Sequence, residues 1–251
     1  MVIDDDQTMA SMRAAGRVVR HTLDAMRAAV EPGVTTGDLD AVARRVFKQH
    51  GARSAPTLVY DFPGATCISV NDEVVHGIPS PKRKLSLGDL VKIDVTAELD
   101  GFMADACESV PVGPPDDVMT ALMAAARDGF DSGLAEARPG NRALDIGRAI
   151  ESVVSARGFS VVPSLQGHGI GRTIHEAPMV PNWADPTARD WLVEGLVITI
   201  EPIIAAGSGD TYEMDDGWTI RTTDGSLSAH HEHTLVIQKQ GPPILLTASF
   251  D

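Results

Sequence analysis

One pattern in this 251-residue chain is written twice, 107 positions apart, and that repetition restricts the fold more than any other feature. EPGVTTGDLDAVARRVFKQHG (31–51) aligns with RPGNRALDIGRAIESVVSARG (138–158), so that Pro32, Gly33, Asp38, Leu39, Val46 and Gly51 meet Pro139, Gly140, Asp145, Ile146, Val153 and Gly158. Upstream, Met12, Ala14, Arg20, Asp24 and Ala28 meet Met119, Ala121, Arg127, Asp131 and Ala135 at the same offset. Two amphipathic helices share apolar spacing by chance, but amphipathicity demands neither a common Pro-Gly entrance nor a common terminal glycine. The chain reads as two related halves, about 8–113 and 115–240, inside a single domain spanning 1–251.

Residues 8 to 30 are alanine-rich with apolar positions near helical spacing, which predicts a long helix closed by EPG. A second helix follows, capped by Thr35, Thr36 or Asp38, with Leu39, Val42, Val46 and Phe47 on one face and Gly51 as its stop. β-like stretches come after each helix pair: TCISV, LVKIDVTAEL and GFMADACESV in the first half, then FSVVPSL, GLVITIEPII, GWTIRTT and EHTLVIQ in the second. Helices followed by strands, twice over, predict an α+β fold in which antiparallel strands of both halves join in one sheet, helices cover one face, and a cleft lies between the halves. The stretch SLQGHGIGRTIHEAPMV (164–180) resists assignment, being too irregular for a helix and too polar for an ordinary buried strand. It holds the glycine-flanked histidines His168 and His175.

Chemistry enters with VKIDVTAELDGFMADACESV. Asp100-Gly101 is a two-residue hairpin turn, which sets Asp94 opposite Cys107 and Asp105 opposite Thr96. Asp94 and Asp105 are then diagonal neighbours on one face, about 7 Å apart at Cα, while Val91, Ile93, Val95, Ala97 and Leu99 turn to the other with Phe102, Ala104 and Ala106. Two carboxylates this close repel unless one keeps a proton or a cation neutralises them. Glu201 ends the apolar run Leu196 to Ile200, where an unpaired charge is costly. Glu232 shares strand parity with Thr234 and Val236, whereas His231 and His233 project to the opposite side. Four such carboxylates and two glycine-flanked histidines suggest one constellation.

Five ordered motifs, TCISVNDEVVHGIP (66–79), KIDVTAELDGFMADACESVPVG (92–113), GHGIGRTIHEAP (167–178), ITIEP (198–202) and SAHHEHTLV (228–236), resemble the type I methionine aminopeptidases, and the likeness runs from about residue 8 to 240. The resemblance implies the pita-bread fold, two pseudo-symmetric halves with a curved antiparallel sheet and helices on the outer face. It implies removal of the initiator methionine from nascent polypeptides, before a small second residue, by a single catalytic domain carrying two divalent ions: cobalt, manganese, iron or zinc. Carried over by motif, the metal ligands are Asp94, Asp105, His168, Glu201 and Glu232, with Asp105 and Glu232 bridging. His175 is to hydrogen-bond the scissile carbonyl, His76 to assist proton movement near it, and Glu201 to shuttle a proton. The methionine pocket is to be walled by Phe62, Cys67, His76 and Trp218, with His175, Ile174 and Val59 nearby, and a monovalent cation is implied near Asn71 and Ser228. Three positions depart from the family pattern: Ile174 where phenylalanine is usual, Ala104 where glycine is common, and His230-His231 for an amide and aromatic pair.

Composition narrows the alternatives. A net charge of -14, from 21 basic and 35 acidic residues, opposes nucleic acid and anionic membranes as partners. Cys67 and Cys107 cannot form a disulfide framework, and MVIDDDQTM carries acid where a secretory signal carries base, so a reduced, cytoplasmic protein is expected; the resemblance implies a monomer acting on nascent N-termini at the ribosome. No apolar run approaches the ~20 residues that span a bilayer. Two rival functions share the fold. A proline-directed peptidase would carry an extra amino-terminal domain, whereas the first helix here starts near residue 8; a non-catalytic binding protein would lack ligands, and none is missing.

Overall fold

The computed structural model describes residues 1–249, and the last two positions of the expected 1–251 domain lie outside them. Helix α1 (Asp6–Ala28) starts earlier than residue 8 because Asp5 caps it, its carboxylate accepting the Thr8 amide at 2.7 Å. Of the candidate caps for α2 (Thr36–His50), Thr35 takes the position in a reciprocal capping box: its hydroxyl accepts the Asp38 N–H and the Asp38 carboxylate accepts the Thr35 N–H, each at 3.0 Å. Gly51 ends that helix at φ 69°, where a side chain would be strained. Then come β1 (Arg53–Ser54), the short helix α3 (Ala55–Tyr60), β2 (Cys67–Val70), β3 (Glu73–Val75), β4 (Leu90–Leu99) and β5 (Phe102–Pro111). The second half follows with α4 (Asp117–Glu136), α5 (Ala143–Ala156), β6 (Ser160–Val161), β7 (Gln166–Gly169), β8 (Glu176–Pro181), β9 (Val197–Ile200), β10 (Ile203–Ala205), β11 (Thr211–Glu213), β12 (Ile220–Thr222), β13 (Ser228–His230), β14 (His233–Val236) and β15 (Ile244–Leu245).

All pairings between these strands are antiparallel. β4 carries β5 on one edge and β1 and β2 on the other, while the second half builds the sheet β15-β14-β9-β7-β8. Two smaller sheets, β11-β12-β3 and β13-β10-β6, complete the set, and β3–β12 pairs a strand of one half with a strand of the other. The large sheets meet where β5 passes β14, but not in a continuous ladder. There the Thr234 hydroxyl accepts the Asp105 N–H at 2.9 Å and donates to the Asp105 carbonyl at 2.8 Å, standing in for a strand backbone. The Glu232 N–H donates to the Cys107 carbonyl at 3.0 Å beside it. A side chain thus satisfies backbone groups that burial would otherwise leave unpaired.

Val91, Ile93, Val95 and Ala97 turn one face of β4 onto α1, where Met12, Ala15, Val19, Leu23 and Met26 complete a buried apolar cluster. Ile198, Ile200 and Leu235 do the same beneath α4 and α5 with Leu122, Phe130, Ile146 and Ile150. With apolar groups drawn to the helix side, the polar alternates of the central strands are left facing inward between the halves.

Several strands differ from their expected extents. FSVVPSL yields only the two residues of β6, since Pro163 has no N–H to continue a ladder. GLVITIEPII breaks into β9 and β10 on either side of Glu201-Pro202. The unassigned 164–180 stretch does form strands: β7 and β8 pair with a register shift at His168/Gly169. Its glycines permit this, because a Cβ on Gly169 would sit 2.3 Å from the Ala177 carbonyl oxygen and one on Gly167 2.7 Å from that of Thr199. Among the described residues no helix is long and apolar enough to cross a membrane.

A similar close approach tests the packing of α1. Alanine is favoured over glycine in a helix by about 1 kcal/mol, yet a Cβ on Gly16 would lie 2.1 Å from the Leu246 backbone oxygen, and overpacking typically costs about 1–3 kcal/mol. Gly16→Ala is therefore expected to lower the urea midpoint with the slope unchanged. An unchanged or raised midpoint would contradict the contact.

Candidate metal centre and substrate cavity

The hairpin register matches the sequence reading pair for pair: Asp94 opposes Cys107, Thr96 opposes Asp105 and Leu99 opposes Phe102 across the Asp100-Gly101 turn. Asp94 and Asp105 face a cavity of about 440 Å3 between the halves. Glu201, at the break after β9, and Glu232, just before β14, enter the same cavity, as does His168 from β7. Single ligand atoms of Asp105, His168 and Glu232 lie within 4.8 Å of one another, and His168 Nε2 is 3.6 Å from Glu201 Oε2. Thus the five residues expected as ligands come together although they are up to 138 positions apart in sequence.

His168 is presented in one tautomer. Its Nδ1 lies 2.9 Å from the Gly169 carbonyl, which can only accept, so Nδ1 carries the proton and Nε2 offers its lone pair to the cavity. The Thr199 hydroxyl accepts the His168 N–H at 3.0 Å and donates to Glu201 Oε2 at 2.6 Å, fixing one ligand against another. Thr199 escaped the sequence reading, though its parity with Glu201 two residues on was the available signal.

The electrostatics are unbalanced. Burial, before any other cause, raises the Asp94 and Glu232 carboxyls far above their usual range, with Asp105 pushed to about 6 and Glu201 to about 8. Burial also pulls His76 down to about 4 and His168 to about 3, and lowers His175, so the imidazoles supply no positive charge. Among the described residues neither lysine nor arginine lines the cavity, and Asp94 Oδ1 and Asp105 Oδ1 are buried without a hydrogen-bond partner. Orphaned carboxylate oxygens converging with an imidazole lone pair fit divalent cations, and such a mixed oxygen and nitrogen set suits transition metals.

The other expected residues fall mostly where the reading put them. Phe62, Cys67, His76, Ile174, His175 and Trp218 line the cavity, with Phe62 and Trp218 edge to face at 5.1 Å. Val59 does not: it is half-buried on α3 and packs against the cluster under α1. Tyr60, on the same short helix, was missed. Its hydroxyl lies 2.5 Å from His175 Nδ1, and the His175 ring stands 4.2 Å from that of His168. The doublet also divides: His231 joins His233 against Phe130, while His230 lines the cavity with Nε2 3.5 Å from Glu232 Oε2 and both ring nitrogens unpartnered.

Comparison with known proteins agrees with this arrangement. The model of metallopeptidase family M24 matches residues 10–239. Methionine aminopeptidase 2 of Bacillus subtilis (strain 168) is 44% identical over 246 residues, covering 98% of this chain and 99% of its own. The solved methionine aminopeptidase of Thermotoga maritima superposes with a TM-score of 0.95 at 33% identity, covering 99% of this chain and 100% of that one. A prolidase from Pyrococcus furiosus shares the fold, with a TM-score of 0.80, at 20% identity and with 66% of its chain covered.

The buried acids make the metal-free protein sensitive to pH. A carboxyl whose folded pKa is raised stabilises fully below its unfolded value and loses that contribution as pH climbs through the folded one, here about 6 for Asp105 and about 8 for Glu201. The depressed histidines act oppositely, but only below their unfolded value of 6.5. Above about 7 the buried Lys92 amine also opposes, one group against Asp94, Glu201 and Glu232. Between pH 6.5 and about 8 the melting temperature of chelator-treated protein is therefore expected to fall, and a divalent metal to remove the slope. A flat or rising profile without metal would show that the acids are not held together.

Proposed function

Because the chain belongs to metallopeptidase family M24, with a family match over residues 10–239, we propose that its cavity is the catalytic centre of a methionine aminopeptidase. The protein is a hydrolase with the pita-bread fold that removes N-terminal methionine, and it uses divalent metal. The observation carrying the site assignment is the convergence of Asp94, Asp105, His168, Glu201 and Glu232 on one cavity that the Phe62 and Trp218 ring pair also lines. A proline-directed activity is not favoured: likeness to a prolidase at 20% identity extends to the fold alone, while relatives at 38–44% are named methionine aminopeptidases.

On this reading Asp94, Asp105, His168, Glu201 and Glu232 would hold two divalent ions. When bound, such ions polarise a carbonyl and lower the pKa of water from 15.7 towards about 7. Glu201, its Oε2 steadied by the Thr199 hydroxyl at 2.6 Å, takes the proton of the attacking water and passes it to the leaving amine. Tyr60 donates to Nδ1 of His175 and so keeps the Nε2–H available for the scissile carbonyl oxygen, whose developing charge such a donor stabilises by roughly 3–4 kcal/mol. His76, held at φ 59° beside the closely packed Gly77, assists proton movement near the amide. Phe62, Cys67, His76 and Trp218 receive the thioether side chain, and Ile174 leaves a wider wall than an aromatic ring would.

The finer reading is of one catalytic unit, with halves about 8–113 and 115–240, loaded with iron, manganese, cobalt or zinc. It works as a cytoplasmic monomer on nascent chains with a small second residue, met at the ribosome, without nucleic acid or membrane.

Peptides Met-Ala-Ser and Ala-Pro-Ser separate the two peptidase activities; release of methionine from the first is expected, and cleavage of only the second would overturn the assignment. Asp105→Asn is expected to lose most bound metal along with turnover, and survival of both would rule out the dinuclear centre. Tyr60→Phe keeps the ring and removes one hydrogen bond, so kcat should fall roughly 3- to 10-fold with KM little changed. An unaltered kcat would remove Tyr60 from the mechanism.

A further inference from the structure

The neighbourhood of Asn71 and Ser228, where the family resemblance implies a monovalent cation, is well built, but it is occupied by a side chain of the protein itself. Asn71 closes the turn between β2 and β3 at φ 58° and is fixed on every side. Its N–H donates to the Leu90 carbonyl, its Oδ1 accepts the Leu90 N–H, and its Nδ2 donates to Asp89 Oδ1, each at 2.8 Å. The carbonyl left over receives three donors: the Ser228 N–H at 3.2 Å, the Ser228 hydroxyl at 3.1 Å and Lys92 Nζ at 2.6 Å. The Ser228 hydroxyl also lies 3.4 Å from the Glu73 carbonyl.

A carbonyl oxygen has two lone pairs, so this one is already oversubscribed, and the shortest contact belongs to the lysine. An ion ligated by the Asn71 carbonyl and the Ser228 hydroxyl would need the volume that the Lys92 head group fills. Lysine is almost never fully buried without a partner; Lys92 is 1% exposed and directs its nitrogen at this carbonyl. The acids around it are otherwise engaged, Asp72 with Arg221 at 2.5 Å and Glu73 with the Val70 N–H at 2.8 Å. Lys92 stands two residues before Asp94 on the same face of β4, and Ser228 opens β13, which leads through His230 to Glu232. Lys92 and Ser228 thus meet at one acceptor in the β2–β3 turn, the lysine from the strand that carries Asp94 and the serine from the second half, and the Ser228 donors cross between the halves.

We propose that the Lys92 amino group is a tethered replacement for a free monovalent cation at the Asn71–Ser228 cluster, fixing β4 to the β2–β3 turn on which Ser228 of β13 also closes, and that the protein consequently needs neither Na+ nor K+. The displacement is a matter of space and holds in either charge state of the amine. It is also independent of the peptidase reading, since thermal stability reports on it without substrate.

The test compares KCl, NaCl and choline chloride at matched ionic strength. Wild-type protein is expected to show the same melting temperature and the same metal-loaded turnover in all three. Lys92→Asn, which shortens the side chain and frees the position, should gain a saturable rise in melting temperature of several degrees with K+ or Na+ over choline. A saturable, ion-specific rise in the wild type would overturn the proposal, and so would a folded Lys92→Asn variant that ignores the ion. If that variant does not fold in any of the salts, thallium-205 NMR of the wild type decides. Binding that saturates and is competed by K+ overturns the proposal, and its absence upholds it.

Discussion

Mutual repulsion among four buried carboxylates is the constraint on which the rest of this structure depends. Asp94, Asp105, Glu201 and Glu232 share one cavity with four neutral imidazoles and, among the described residues, no lysine or arginine in its lining. Desolvation and proximity both disfavour their ionised forms, so near neutral pH the acids either keep protons or are neutralised by cations among them. Everything that fixes these acids is accordingly rigid. Asp105 and Glu232 are held through backbone groups at the β5–β14 junction, Glu201 and His168 through a single threonine hydroxyl, and Asp94 by its place in a ten-residue strand. The chain keeps these groups in place by bonds made elsewhere, which leaves their remaining oxygens free for a ligand.

The hairpin was legible from sequence because a two-residue Asp-Gly turn sets register, and register sets which side chains share a face. Glu201 was legible because a charge ending an apolar run has to be explained. Other elements carry weaker local signals. The six residues of α3 begin with a proline near their start and are too few to show a helical period, so Tyr60 was overlooked and Val59 was assigned to the cavity. The 164–180 stretch looked unlike a buried strand because its polarity was judged by side chains, whereas its glycines serve to bring the backbones of β7, β8 and β9 close. Lys92 reads as an ordinary strand lysine. Its burial follows from the turn at Asn71, whose carbonyl it shares with Ser228 of β13, and no local pattern announces that contact.

The two halves are thus joined by several bonds instead of one continuous sheet, three of them close to the cavity. Thr234 substitutes for a strand backbone beside Asp105, β3 pairs with β12 across the cleft, and Lys92 with Ser228 closes on the Asn71 carbonyl. All three lie near the ligands, so the geometry of the centre is set by how the halves are held together and not by either half alone.

Anomalous diffraction from crystals equilibrated with Mn2+ tests the central claim most directly. Two peaks are predicted inside the cavity, both within bonding distance of Asp105 and Glu232, one shared with Asp94 and the other with His168 and Glu201. Peaks confined to the protein surface, or a cavity free of anomalous signal at saturating metal, would contradict the account.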